Sequence, residues 1–389
     1  MALSLEIKPH CQEVYECTCT QPVACCGKPF YAAPATIPDA HALEKLRGRY
    51  PYLAFEAEPR WVSRYDVYGP CGMVSQWATM LTITPNPAFA KGMGYSAFLQ
   101  KTGPDKAFSS GAFGCVRNNG FKFHEGLDLY PVKRDGRGRA DDNVFSAMEG
   151  VIRHLNATSG YSAYGKYLVL EHTTLNPPLY SLYAHLASIE DGLKVGSSVR
   201  VAQVLGKMGN TASYRIPLDR SHLHFEIGLR LTDDFQRWYD KKPYTTKNRH
   251  GNFSGFNLVG IDPLPFYSEY QKKSFSTPLE YLRSLPVAAK LRVRSTRTPD
   301  FVRRYPTLCK APPKGTGVSA WDCSFGPFGI PVRIEPATQP MASKSAKYQV
   351  LSIDYATQQK PCRRLVVKKG SSLVPAEQLL VYLELLFGI

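Results

Sequence analysis

The stretch HLHFEIGL, residues 222–229, is the clearest β-strand pattern in the chain. Successive side chains of a strand alternate between its two faces, so His222, His224 and Glu226 share one face and the apolar residues between them share the other. The apolar face belongs in a core. The polar face presents two imidazoles about 7 Å apart along the strand, which suits a cleft where one imidazole binds a metal ion and the other handles protons.

The region around this strand has the same β character. From about residue 111, short apolar runs are separated by Gly, Asn and Pro, which is typical of all-β modules. We therefore predict a mainly β fold whose functional module is an antiparallel sheet or sandwich, followed by an α+β extension with a final helix that begins near Pro375. The predicted strands cover residues 144–152 (with a turn at 149–150), 167–171, 179–185, 199–205, 222–229, 291–294, 330–334, 348–353 and 365–367.

The charge of the chain is concentrated near its C-terminus. The 389 residues have a formal net charge of +16, and residues 268–389, with 19 basic and 8 acidic side chains, carry +11 of it. A basic surface attracts polyanions, although paired basic residues are by default solvated. Since no nucleic-acid fold motif is present, no specific nucleic-acid partner is expected. If the basic residues bind a partner, an anionic wall polymer is a candidate. We predict three parts: an irregular, cysteine-rich region (1–108), the β-module (109–267) and a basic accessory region (268–389).

Cysteine usage and the lack of a long apolar run bear on location. The chain has ten cysteines, five of them within residues 11–26. Disulfides in an oxidising compartment are favoured there over a metal cluster, because no Cys-x-x-Cys pair occurs. The sequence has no run of 18 apolar residues, so no transmembrane segment is predicted, and no signal peptide is visible. The cysteines therefore favour an oxidising compartment, such as the periplasm or the exterior of the cell. Either the export signal is missing from this chain, or the protein stays inside or leaves by another route.

A second motif supplies further metal-binding groups. His124 and Asp128 are four residues apart and would share one face of a strand, since Gly126 between them disfavours a helix. Together with one imidazole of residues 222–224, they would give three protein ligands. Catalytic zinc sites have this ligand count, with water in the open fourth position. A third motif, Tyr183-Ala184-His185, adds another imidazole.

These motifs in this order resemble those of the lysostaphin-type (LytM-like) zinc metallopeptidases of bacterial peptidoglycan. The similarity is carried by His-x-Gly-x-Asp (124–128), Tyr-Ala-His (183–185) and His-Leu-His-Phe-Glu (222–226). The flanking segments resemble the family as well, and the similarity extends over about residues 109–267. The matching flanks are residues 113–117, 144–151, 165–172, 195–209 and 261–264.

The resemblance implies a role for each motif residue. His124, Asp128 and His224 would hold a Zn(2+) ion, His222 would be a general base, and His185 would stabilise the developing oxyanion or hold the water. The fold would be the β-cleft called a duplicated hybrid motif. The activity would be that of a zinc-dependent endopeptidase, in which metal-activated water hydrolyses peptide bonds in peptidoglycan stem peptides or cross-bridges with histidine as general acid and base.

Two alternatives stay open. A catalytically silent wall-binding or regulatory protein could keep the fold, and a zinc carboxypeptidase acting on D-Ala-D-Ala would share the ligand layout, although with wider spacing between its first His and Asp. Three segments are longer than in the simplest members of the family and are expected to rim the cleft, which leaves the choice of bond open. These segments are residues 129–143, 209–222 and 229–258.

Several other polar residues have either a structural role or a role at the site. Glu226 is either a partner of a ligand imidazole or a solvated strand residue, and Tyr183 either lines the cleft or packs. His172 is expected to make a structural hydrogen bond. The remaining histidines are expected to be structural or superficial, and they are His10, His41, His154 and His250.

Overall fold

The computed structural model describes residues 93–102, 107–313, 315–358 and 362–389. The clustered cysteines and Cys71 lie outside the described residues. So does most of the predicted region 1–108, and the three-part division of the chain stays a prediction. Among the described residues, no helix has both the length and the apolar character needed to cross a bilayer.

The fold is mainly β, as predicted, and every pairing between its named strands is antiparallel. The strands are β1 Gly114–Arg117, β2 Lys122–His124, β3 Leu127–Leu129, β4 Asn143–Phe145, β5 Gly150–Asn156, β6 Lys166–His172, β7 Leu179–Leu186, β8 Ser188–Ile189, β9 Ser198–Val199, β10 Val204–Lys207, β11 Leu223–Arg230, β12 Leu258–Gly260, β13 Ala289–Arg294, β14 Ala320–Phe325, β15 Pro331–Pro336, β16 Tyr348–Ile353, β17 Val366–Lys369 and β18 Ser372–Pro375. The α-helices are α1 Phe235–Tyr239, α2 Pro263–Gln271, α3 Pro278–Ser284, α4 Asp300–Arg304 and α5 Glu377–Phe387.

The centre of the molecule is a seven-stranded sheet. Its strands follow the order β12-β11-β7-β6-β5-β9, and β3 pairs with β11 in addition. Strand β7 is buried along its whole length, because apolar side chains cover the sheet on both faces. One face packs into the main core, and the other packs into a smaller cluster around Tyr167 and Phe253.

A second sheet follows in the C-terminal part, with the order β15-β14-β13-β16. Its buried side chains, such as Trp321, belong to the same core cluster as Phe225 of the central sheet. Helix α5 begins two residues after Pro375 and ends at Phe387, where Gly388 caps it with a left-handed φ of 71° that suits a residue without a Cβ. The expected α+β character of this part is confirmed.

Two details of the strand prediction were wrong. The strand expected over residues 199–205 is split into β9 and β10, because the chain turns between them and Ala202 adopts a φ of +61°. His124 and Asp128 do not share one strand, because the chain breaks between β2 and β3. A Cβ at Gly126, in that break, would lie 2.3 Å from the carbonyl oxygen of Phe225, so only glycine allows this approach.

Candidate active site

Three strands bring the first and third motifs together. In the register of β3 and β11, Asp128 lies directly opposite His224. His124 is the last residue of β2, just before the break at Gly126. The side chains of all three residues are buried. Residues that are about 100 positions apart in sequence therefore meet at one point in the fold.

Three donor atoms of these residues lie within van der Waals distance of one another. His124 Nε2 is 3.1 Å from His224 Nδ1 and 3.1 Å from Asp128 Oδ1. His224 Nδ1 is 3.0 Å from the same carboxylate oxygen. Ligands of a tetrahedral zinc ion, at about 2.0–2.1 Å from the metal, are about 3.3 Å apart. The spacing and the donor types therefore fit a zinc ion.

Hydrogen bonds on the far side of each imidazole fix which nitrogen faces this point. His124 Nδ1–H donates to the carbonyl oxygen of Ala112 at 2.7 Å. His224 Nε2–H donates to Glu226 Oε1 at 2.9 Å. Since a neutral imidazole has one N–H, His124 Nε2 and His224 Nδ1 are left as acceptors. Partners of this kind are usual behind metal-binding histidines, where they orient the ring and raise its basicity.

The electrostatics of the cluster call for a cation. Two bare nitrogens and a carboxylate oxygen are all acceptors, so they repel one another unless a proton or a metal ion lies between them. Burial lowers the pKa of His224, but its hydrogen bonds to Asp128 and Glu226 outweigh burial and raise it to about 9. Burial lowers the pKa of His124. In the metal-free protein, a single proton on His224 thus occupies the place that a metal ion would take.

Arg117 also contacts this cluster, although none of the three sequence motifs includes it. Its Nη2 forms a short ion pair with Asp128 Oδ2, the oxygen that faces away from the two imidazoles. Burial raises the pKa of Asp128, but His124 and Arg117 outweigh burial and hold it well below its usual range. The carboxylate is therefore ionised and held in one orientation. The only signal in the sequence was the position of Arg117 in the segment that precedes the first motif.

His222 and His185 lie beside the three donors, with their ring centroids 4.8 Å apart. His222 Nδ1–H donates to the carbonyl oxygen of Arg220 at 2.7 Å, and its Nε2 is 3.6 Å from Asp128 Oδ1. His185 Nδ1–H donates to the carbonyl oxygen of Thr211 at 2.8 Å. Burial lowers the pKa of both rings. Each ring is therefore neutral near pH 7, with an unprotonated Nε2 that can accept a proton.

The backbone at His185 is strained. Its φ is +61°, in the left-handed region that residues with a Cβ seldom adopt. The backbone N–H of His185 donates to the carbonyl oxygen of Tyr164 at 2.9 Å, which holds the conformation. Strain of this kind clusters at functional sites, where the surrounding structure fixes a side chain in an otherwise unfavourable place.

Glu226 hydrogen-bonds to the imidazole of His224 and is not solvated. It is 1% exposed, and besides His224 it accepts hydrogen bonds from Tyr164 Oη at 2.9 Å and Tyr180 Oη at 3.1 Å. Tyr183, by contrast, is in the core. Its hydroxyl accepts from the backbone N–H of Ala147 at 2.8 Å, so it packs and does not line the cleft.

The other histidines are placed away from the three donors. His172 is buried between the carbonyl oxygen of Glu149 and Ser181 Oγ, the structural bonding that was expected. His154 and His250 share one partner, the hydroxyl of Tyr167. His10 and His41 lie outside the described residues.

The segment 229–258 contacts the C-terminal part of the chain. Its helix α1 packs against helix α5, where Trp238 Nε1 and Lys242 Nζ both donate to Glu384 Oε2, at 2.7 and 2.6 Å. Farther along, Arg249 lies over the ring of Tyr161. The segment thus connects the central sheet with the C-terminal part, and its expected place at the rim of the cleft stays a prediction.

Comparison with known proteins gives one match to a family. Residues 122–234 match the family model described as Peptidase family M23. No curated protein matches the chain.

Similar solved structures include three bacterial peptidases or peptidase-family proteins. They are the catalytic domain of the antimicrobial peptidase lysostaphin from Staphylococcus simulans (22% identity, covering 41% of this chain and 87% of that chain, TM-score 0.26), the catalytic domain of the prophage-encoded M23 protein EnpA from Enterococcus faecalis (16%, 34% and 82%, 0.25) and a zinc-containing peptidase from Vibrio cholerae (24%, 33% and 31%, 0.22). With TM-scores this low, these structures add no weight of their own to the family match.

Proposed function

Because residues 122–234 match the family model described as Peptidase family M23, we propose that the chain is a zinc-dependent endopeptidase that hydrolyses peptide bonds in the stem peptides or cross-bridges of peptidoglycan. The observation that carries the proposal is the convergence of His124 Nε2, Asp128 Oδ1 and His224 Nδ1 within about 3 Å of one another. These three atoms would hold the zinc ion. A bound zinc ion supplies a Lewis acid and lowers the pKa of its water to about 7.

The proton transfers of the reaction are assigned to His222. Its Nε2 is unprotonated and lies 3.6 Å from the proposed ligand oxygen of Asp128, so it is placed to accept a proton from the attacking water. The water oxygen then bonds to the peptide carbonyl carbon. As the C–N bond breaks, the same imidazole returns its proton to the leaving amine nitrogen. The bond of Nδ1–H to the Arg220 carbonyl keeps the ring oriented during both steps.

The remaining residues of the site orient the others. His185, held in its strained backbone conformation, is assigned to hold the water, because its unprotonated Nε2 can accept a hydrogen bond from it. The other expected role, stabilisation of negative charge on the carbonyl oxygen, would require a proton on Nε2. Arg117 fixes the Asp128 carboxylate, and Glu226 fixes the ring of His224. Neither residue needs to touch the substrate, so we regard both as positioning residues.

We further propose that the protein acts in the cell envelope, in the periplasm or after secretion. The described cysteines include a disulfide between Cys115 and Cys362, which is consistent with an oxidising compartment. The basic residues of 268–389 are proposed to bring the enzyme to an anionic wall polymer.

Hydrolysis of purified peptidoglycan tests the proposed function. We expect the wild-type protein to release soluble fragments, a chelator to abolish release, and added zinc to restore it. Mass spectrometry of the fragments identifies the bond that is cut. Released terminal D-Ala would indicate the carboxypeptidase alternative, and a protein that binds zinc and peptidoglycan without cutting would indicate the silent alternative.

A further inference from the structure

The C-terminal part contacts both residues that flank His124. The guanidinium carbon of Arg363 lies 3.5 Å from the centroid of the Phe123 ring, and its Nη2 is 3.7 Å from Glu125 Oε1. His124 itself is buried between these two neighbours. One side chain, 239 residues downstream of His124, thus touches the residue before it and the residue after it.

Arg363 is itself held from two directions. Its Nη1 donates to Tyr382 Oη of helix α5 at 3.4 Å, and its side chain is 14% exposed. The residue before it, Cys362, forms a disulfide with Cys115 of strand β1. Cys115 lies directly opposite Phe123 in the register of β1 and β2. The disulfide therefore attaches the segment that carries Arg363 to the hairpin that carries His124.

Aromatic packing reinforces the same contact. The ring of Phe328, in the turn before β15, lies 5.1 Å from that of Phe123 and 5.6 Å from that of Phe113, both edge-on. A Cβ at Gly114 would lie 3.3 Å from the Phe328 ring. The hairpin β1–β2 thus packs its aromatic side chains against the C-terminal part. His124, at the end of β2, is directed toward Asp128 and His224.

We propose that Arg363 is a positioning residue for His124, so that residues 362–363 of the C-terminal part belong functionally to the metal site. A cation stacked on a desolvated aromatic ring is attracted to the face of that ring and holds it in place, and here the ring belongs to the residue immediately before a proposed metal ligand. The inference rests on the proposed function for its metal, and it assigns to the C-terminal part a role other than attachment to the wall.

The test compares three single variants: Arg363→Ala, Arg363→Lys and Arg364→Ala. The last is the matched control, because Arg364 is adjacent and exposed. The zinc dissociation constant is measured by competition with a chelator, and kcat and KM are measured on the same samples. Loss of a group that hydrogen-bonds to a metal ligand typically weakens metal binding about 10–100-fold, and Arg363 contacts the two residues next to such a ligand. We expect Arg363→Ala to weaken zinc binding about tenfold and to lower kcat with little change in KM.

Arg363→Lys retains the positive charge over the ring, so we expect it to recover part of the affinity, and Arg364→Ala should match the wild type within about twofold. A fourth variant, Cys362→Ser, removes the covalent attachment to Cys115 and should also weaken zinc binding. If Arg363→Ala and Cys362→Ser act through the same contact, the double variant that carries both should lose less zinc affinity than the product of the two single losses. Thermal unfolding of the zinc-free variants shows whether they are folded.

Wild-type zinc affinity in folded Arg363→Ala would overturn the inference and leave the proposed function standing. A wild-type protein that binds zinc but cuts no peptidoglycan would contradict the proposed function, while the affinity comparison would still decide the role of Arg363. If the wild type binds no zinc at all, both fail together.

Discussion

The central sheet and the C-terminal sheet each bury a pair of ionisable residues on neighbouring strands. Only in the C-terminal sheet do the hydrogen-bond donors of the pair match its acceptors. In the C-terminal sheet, Arg292 of β13 lies directly opposite Asp322 of β14. Two guanidinium nitrogens donate to the two carboxylate oxygens at 2.7 and 2.8 Å, and a third donates to the carbonyl oxygen of Pro340. Donors and acceptors are matched, so nothing is left to bind.

In the central sheet, Asp128 lies directly opposite His224, and this arrangement has an excess of acceptors. His124 adds a third acceptor where the C-terminal sheet has a donor. Arg117 satisfies only the outer oxygen of Asp128. A buried polar group is therefore evidence for a structural role when its hydrogen-bond partners are complete, and for a ligand site when several acceptors converge on one point without a matching donor.

Removal of the proposed general base should have the largest effect on activity. General acid–base catalysis contributes about 10²–10⁴-fold, so His222→Ala is expected to lose that much in kcat while it keeps its zinc. Metal analysis and peptidoglycan digestion on the same sample measure both. His154→Ala is the matched control, because that imidazole bonds to Tyr167 away from the site. Normal hydrolysis by the His222 variant would refute its role.

Breaking the complete pair should affect stability alone. Arg292→Ala leaves the Asp322 carboxylate buried without its cation, which costs about 3 kcal/mol in the free energy of unfolding. Zinc content and the kcat of the folded fraction should not change, because the pair contacts none of the site residues. Urea unfolding together with metal analysis measures the two quantities. A variant that lost zinc while folded would break the distinction between the two sheets.

Weakening the support behind a proposed ligand should have an intermediate effect. Glu226→Gln keeps an oxygen for His224 Nε2–H but removes the charge, so we expect zinc affinity to fall about 10–100-fold. Chelator competition measures the affinity. An unchanged dissociation constant would show that the carboxylate contributes only packing.

The pH dependence of stability should differ between the zinc-free and the zinc-loaded protein. The folded pKa of His224, about 9, is above the unfolded value of about 6.5. Its contribution to zinc-free stability is therefore fully present below about pH 6.5 and is lost as the pH rises through 9. We expect a loss of about 2 kcal/mol between pH 7 and 9.

Zinc replaces that proton, so the loaded protein should not lose stability over the same range. Thermal unfolding at several pH values, with and without zinc, checks the sign. Parallel curves for the two forms would mean that zinc does not bind at His224.

Part of this site could be predicted from the amino-acid sequence alone. Because side chains in a strand repeat every second residue, the strand pattern of residues 222–226 places alternate side chains on one face, and Glu226 indeed contacts His224. The meeting of His124 and Asp128 with His224 did not follow from spacing, since they lie on separate strands. The ligand count of catalytic zinc sites predicted that they act together with one imidazole of residues 222–224, and the resemblance to a family named His224 as that imidazole.

The contacts between distant parts of the chain could not be predicted. Cys115 and Cys362 are separated by 247 residues, and disulfide connectivity cannot be read from cysteine positions. The packing of Arg363 on Phe123 depends on that docking. Likewise, the split between β9 and β10 depends on a left-handed Ala202, a conformation that alanine gives no reason to expect.

The most direct test of the central claim is the metal content of the purified, folded protein compared with that of His224→Ala. We predict a single tightly bound zinc ion per chain in the wild type and none in the variant, because two of the three donors cannot hold the ion alone. Circular dichroism on the same samples shows that both are folded. A folded wild-type protein that takes up no zinc, or a His224 variant that retains it fully, would contradict the account.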